Sequence, residues 1–279
     1  MRIRRKNRMN IFRFEIRRLM KSCIVWSLVC GMIIVLFMSF YPSMKDSGIQ
    51  ELVETKLSAF PEGMMEAFGI DKMVDFTDII QYMAYVIQYV GMAMAIYASI
   101  LGVTSLLEEE AEGTIEFLYA QPVNRNQIVI CKIFSRVLLL FIYLFIIGAI
   151  AIFVSIIFKP EGIELFAMVK DIVNIFIGMS FVGFIFLSIG LLLSTILSPT
   201  INSTAISIGV FFITYIIGVV GKLRDGLEPL KYLSPFDYAL PMDLAKEGWN
   251  SKYVVLGFII IILSISGTFI LYNKKDMKI

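Results

Sequence analysis

The densest chemistry in this chain lies between residues 108 and 136, where Glu108, Glu109, Glu110, Glu112 and Glu116 are followed by Arg125, Lys132 and Arg136. Such groups can pair, dock or hold a helix end. Proton transfer near neutrality is another matter, because the chain has no histidine, the commonest general base and metal ligand. No metal site or cofactor is expected. Cys23 and Cys30 lie seven apart on one face of an apolar run and Cys131 begins another, so the thiols read as small buried side chains with no redox pairing. No Gly-x-x-x-x-Gly-Lys-Ser/Thr phosphate loop occurs; Gly221-Lys222 lacks both the upstream glycine and the hydroxyl residue, so the chain does not bind ATP in that manner. What remains is recognition and packing, not catalysis.

The elements that must position these residues are membrane helices. Runs 22–44, 79–107, 137–158, 172–221 and 253–273 contain no charged residue. A hydrocarbon core of about 30 Å takes roughly 20 apolar residues at about 1.5 Å each, so four runs have the length of one span. The run 172–221 would reach roughly 75 Å as a single helix, and Ser198-Pro199-Thr200 interrupts it. The expectation is an all-α integral membrane protein, one transmembrane domain over 1–279, with six spans at about 22–44, 79–107, 129–158, 172–197, 201–221 and 253–273. With 58% hydrophobic residues in 279 positions, little is left for a soluble domain.

Lysine and arginine accumulate on the cytoplasmic side of membrane proteins. With both termini inside, 15 basic residues face inward and 10 outward, while the acidic residues divide 7 and 16. The chain therefore reads as a multi-pass protein of the cell membrane with both ends cytoplasmic. Before the first span, Met9, Phe12, Ile16, Leu19 and Met20 recur at helical spacing opposite Arg13, Arg17, Arg18 and Lys21. This predicts an interfacial helix over 9–21 whose cations meet anionic headgroups.

Glutamates at a helix C-terminus oppose its dipole, so the run at 108–112 is expected to lead into a new helix. Gly113 breaks the axis, Thr114 caps, and a short helix runs from about 114 to 120 until Pro122 stops it. Asn124 with Gln127 forms a capping pair for the third span, and Lys132 and Arg136 in its first turns are expected to reach water. On the short helix Ile115, Leu118 and Tyr119 share a face. At about 1.5–3 kcal/mol for each large apolar side chain left in water, that face suggests a docking surface, or else a loop folded back on the membrane.

The pattern Glu112-Gly113-Thr114-x-Glu116-x-Leu118, then Pro122-Val123-x-Arg125 and Lys132, resembles the inner loop of type-2 ABC transporter permeases. The basic arm, the six spans and Leu233-Ser234-Pro235-Phe236 before the last span are similar to that family too. The resemblance implies that 108–120 carries a short cytoplasmic coupling helix fitting a cleft on a separate ATP-binding subunit. Glu112, Gly113, Thr114, Ile115, Glu116, Leu118, Tyr119, Pro122 and Arg125 would be the coupling residues, and two copies of each subunit would assemble, as a homo- or heterodimer. Asn124 stands where serine or threonine is more usual, and the segment 45–78 is longer than in the smallest members.

No charged residue lies centrally in a span, which argues against a proton- or ion-coupled carrier. Gln81, Tyr85 and Gln88 fall on one face of the second span with Tyr89 beside them, and Asn202 opens the fifth; these could line a path or pack. Gly91, Ala95 and Ser99, and likewise Ala205 with Gly209, permit close helix approach. The function expected is the permease subunit of an ATP-driven exporter for a hydrophobic or amphiphilic cargo, in the lipid bilayer, with hydrolysis on the partner ATPase and no nucleic acid involved. A non-transporting sensor or immunity protein of the same fold is the alternative; a lipid-acting enzyme lacks a base or nucleophile at membrane depth.

Overall fold

The computed structural model describes residues 2–45, 55, 75–116, 123–223 and 226–275, with side chains from Met9 onward. Six long helices make up most of it: α1 Arg2–Ser39, α2 Ile79–Ala111, α3 Arg125–Ile157, α4 Leu165–Ile196, α5 Ser203–Leu223 and α6 Ser251–Lys274. All six are long and apolar enough to cross a bilayer, and no strand occurs among the described residues. The break at Pro199 stands, with 197–202 leaving helical geometry between α4 and α5.

Each helix overruns its charge-free run at one end or both, because backbone hydrogen bonding does not end where the hydrocarbon does. The helix expected over 9–21 is present as the first half of α1, continuous with the span that follows. At 38 residues α1 is roughly 57 Å long, so nearly half of it lies outside a core of about 30 Å. Helix α2 starts at Ile79 as expected, where the Asp78 carboxylate accepts from the amides of Ile80 at 2.7 Å and Gln81 at 3.4 Å. Helix α3 starts at Arg125, and the Asn124 amide donates to Gln127 Oε1 at 3.4 Å in the expected capping pair.

Helices α2 and α4 are the most buried and form the centre. They cross where glycine meets glycine. A Cβ on Gly190 would lie 2.7 Å from the Ser99 carbonyl and 2.9 Å from the Gly102 Cα, so neither backbone could approach with a larger residue there. The small-residue stripe Gly91, Ala95, Ser99 is therefore an intramolecular seam. The second proposed stripe is not one within this chain: Ala205 is exposed and a Cβ on Gly209 would meet open space.

After α5 the chain turns back on the bundle. Two 3-10 turns, Glu228–Leu233 and Pro235–Ala239, and a short helix, Pro241–Lys246, pack Phe236, Met242 and Leu244 among α2, α4 and α5 and stack Tyr238 on Tyr253 of α6. Here the Lys222 ammonium meets the buried Asp237 carboxylate at 3.0 Å, and Gly218 leaves the room that Ser234 and Asp237 fill. Burial pushes the Tyr238 phenol up to about 12, which keeps it a neutral donor to the Tyr232 carbonyl at 2.5 Å.

Candidate functional site at the charged end of the bundle

The four glutamates do not lead into a new helix. Glu108, Glu109 and Glu110 occupy the last turns of α2, and Glu112 ends it. The unfavourable dipole that argued against this placement is offset by cations from three other helices. Lys132 on α3 reaches Glu15 of α1 at 3.3 Å, contacts Glu109, and donates to the Ser105 carbonyl at 2.5 Å. Arg136, one turn on, meets Glu15 at 3.0 Å and Glu108 at 3.4 Å. Arg18 of α1 bridges Glu108 at 2.5 Å and Glu112 at 2.6 Å. Lys275, just past α6, meets Glu110 at 2.8 Å.

The expectation that Lys132 and Arg136 reach water is overturned: both are 0% exposed, and Glu15 is 1% exposed. An ion taken out of water costs several kcal/mol unless a counter-ion and hydrogen bonds replace the hydration. Glu15, Glu108 and Glu109 against Lys132, Arg136 and Arg18 make a set with no net charge, so carboxylates supplied by α1 and α2 take the place of solvent. Arg136 is its least satisfied member, since Nε and Nη1 have no hydrogen-bond partner among the described residues.

The expected coupling residues divide. Gly113 has φ +67°, the left-handed geometry that ends α2, and its amide and that of Thr114 return to the carbonyls of Glu110 and Glu109. Thr114 thus closes the old helix, while Ile115 and Glu116 begin a new turn. Glu112 and Glu116 are exposed, but Ile115 is only 4% exposed and packs inward. Leu118, Tyr119 and Pro122 lie outside the described residues. Arg125 points to α6, where one guanidinium nitrogen donates to the carbonyls of Tyr272, Asn273 and Lys275 at 3.2, 3.1 and 2.9 Å. It caps the end of that helix.

The candidate path residues are at two ends. Gln81, Tyr85, Gln88 and Tyr89 lie near the start of α2, far from the ion cluster; the Gln81 side chain accepts from the Asp75 amide at 3.2 Å, Tyr89 donates to Tyr85 at 3.1 Å, and Gln88 is buried. Asn202 is at the opposite end, where its side chain accepts from the amides of Thr204 and Ala205 and starts α5. It is a cap, apart from the tyrosine stripe.

Sequence reasoning missed the ion cluster. One signal was present: Glu15 is the sole carboxylate among nine basic residues ahead of the first span. A family model described as ABC-2 family transporter protein matches residues 9–277. No curated protein matches the chain.

Proposed function

This chain belongs to the ABC-2 family of transporter proteins, whose members are membrane subunits of ABC transport systems, and from that premise we propose that it is the permease of an exporter. It works as a dimer with a separate ATPase, both termini in the cytoplasm, and passes a hydrophobic or amphiphilic cargo. The stretch 112–125 receives the ATPase. The observation that carries this reading is the ion cluster. The end of α2 that leads into this stretch is tied to α3 by Lys132–Glu109 and Arg136–Glu108, to α1 by Arg18, and by Lys275 to the end of α6, while Glu15 joins α1 to α3. A displacement applied at Glu112 is then shared by four helices rather than absorbed by a loop, and the incompletely satisfied Arg136 gives the cluster a group able to exchange partners.

Docking rests on Leu118 and Tyr119, with Glu112 and Glu116 as the exposed charges around them; Ile115 anchors the turn from inside. The tyrosine and glutamine stripe of α2, from Gln81 to Tyr89, is the proposed path lining, and Asn202 drops out of it. Replacing both Leu118 and Tyr119 with aspartate should abolish co-purification of the partner ATPase while leaving thermal unfolding of the subunit unchanged. Undiminished recovery of the ATPase would overturn the docking assignment.

A further inference from the structure

Between the turn Glu228–Leu233 and the first turns of α6 lies a cavity of about 560 Å³ lined by Tyr232, Ser251, Lys252, Val255, Leu256 and Ile259. Its floor is one helix face. Lys252, Val255, Leu256 and Ile259 stand at positions i, i+3, i+4 and i+7, a descent of about 10 Å from a cation to aliphatic side chains. Its wall is fixed. The Tyr232 ring meets Tyr253 at 5.7 Å, Tyr253 stacks on Tyr238 at 5.2 Å with 7° between planes, and the Tyr238 hydroxyl holds the Tyr232 carbonyl.

The cavity opens away from the bundle. Val255 and Ile259 are exposed, and because α6 is a membrane-crossing helix that begins at Ser251, Lys252 stands at the boundary of the hydrocarbon and Ile259 at acyl depth. Lys252 makes no ion pair among the described residues. A cation at the rim, two hydroxyls beside it and a purely aliphatic floor below match one kind of occupant in both charge and polarity gradient. We propose that this cavity binds an anionic phospholipid, its phosphate on Lys252 with Ser251 and Tyr232 alongside and one acyl chain laid over Val255, Leu256 and Ile259. A soluble phosphate would satisfy the rim and leave the floor uncovered, and an uncharged amphiphile would do the reverse. One lysine near the surface gives a preference for the anionic lipid of about fivefold.

The test uses the full chain in nanodiscs containing either phosphatidylglycerol or phosphatidylcholine with a photoreactive group on the acyl chain. Labelling should map to the peptide holding residues 252–259, with phosphatidylglycerol ahead of phosphatidylcholine about fivefold. Lys252→Glu should remove the preference, Ile259→Trp, which fills the floor, should lower labelling by both lipids, and excess inorganic phosphate should compete with neither. Both substitutions are at exposed positions, and unaltered thermal unfolding confirms that the fold is kept. Equal labelling by the two lipids, a preference that survives Lys252→Glu, or displacement by inorganic phosphate would each overturn the assignment. No ATPase enters the experiment, so its outcome is independent of the permease reading.

Discussion

The two ends of the helix bundle are clamped by opposite chemistry. At one end, where α2 finishes, buried carboxylates and cations from α1, α2 and α3 lock the helices together, and Arg125 and Lys275 bring in the end of α6. At the other, where α2 begins, Tyr82 donates to the Phe37 carbonyl and Tyr41 to that of Thr77, rings from Tyr41 to Tyr85 pack in sequence, and the returning segment wedges Phe236 among α2, α4 and α5 beside the pair Lys222–Asp237. An ion cluster holds a few discrete pairings and can switch between them; an aromatic wedge holds by shape. The first end is therefore held by pairing and the second by packing.

The comparison predicts which end fails harder. Lys132→Ala leaves Glu15 and Glu109 buried with no ammonium between them and should destabilise the chain by about 3–5 kcal/mol. Thermal unfolding in detergent measures it. Combining Lys132→Met with Glu109→Gln removes one charge of each sign, leaves Glu15 to Arg136 and should recover much of that loss; if the combined variant is no better than Lys132→Ala, the cluster is held by shape after all. At the opposite end Phe236→Ala should cost about 3 kcal/mol. That is the low side for a buried ring, because lipid already solvates apolar groups and only lost packing remains. A loss at Phe236 larger than at Lys132 would invert the comparison.

The spans were legible because charge avoidance over 20 or so residues is a strong local signal. Helix ends were legible only where a cap marked them, as at Asn124; α4 instead runs from Leu165 through Lys170 and Asp171, which need only water around them to remain helical. The ion cluster was illegible for a different reason. Lys132 and Glu15 are 117 positions apart, and Arg18 and Glu112 are 94 apart, so nothing in the neighbourhood of Lys132 distinguishes a buried pair from a side chain reaching for solvent. Conversely, Ile115, Leu118 and Tyr119 share a helical face by spacing alone, yet spacing could not tell that Ile115 turns inward.

Smaller effects sharpen the same contrast. Lys222→Ala strips Asp237 of its ammonium at the aromatic end, but Lys222 is partly exposed, so water supplies part of the replacement and a loss of about 1–2 kcal/mol is expected. A loss equal to that of Lys132→Ala would mean that the two ends are electrostatic alike.

The least effect belongs to Asp75, ahead of α2. Its carboxylate accepts from the Thr77 hydroxyl at 2.6 Å and the Thr77 amide at 2.9 Å, and the hydroxyl foremost holds its pKa below the usual aspartate range. A carboxylate depressed in the folded state contributes stability that is complete above its unfolded value, about 3.9, and disappears as pH falls through the folded value. Thr77→Val removes the hydroxyl and lets that pKa rise. The variant should therefore unfold slightly earlier than the parent at pH 6, and the gap should close as pH falls below the folded-state value of Asp75. The site is exposed, so the shift is the smallest of the set. A gap that stays constant over the whole range would assign the effect to lost packing at Thr77 and leave Lys222–Asp237 as the charge pair that the account of this end still needs.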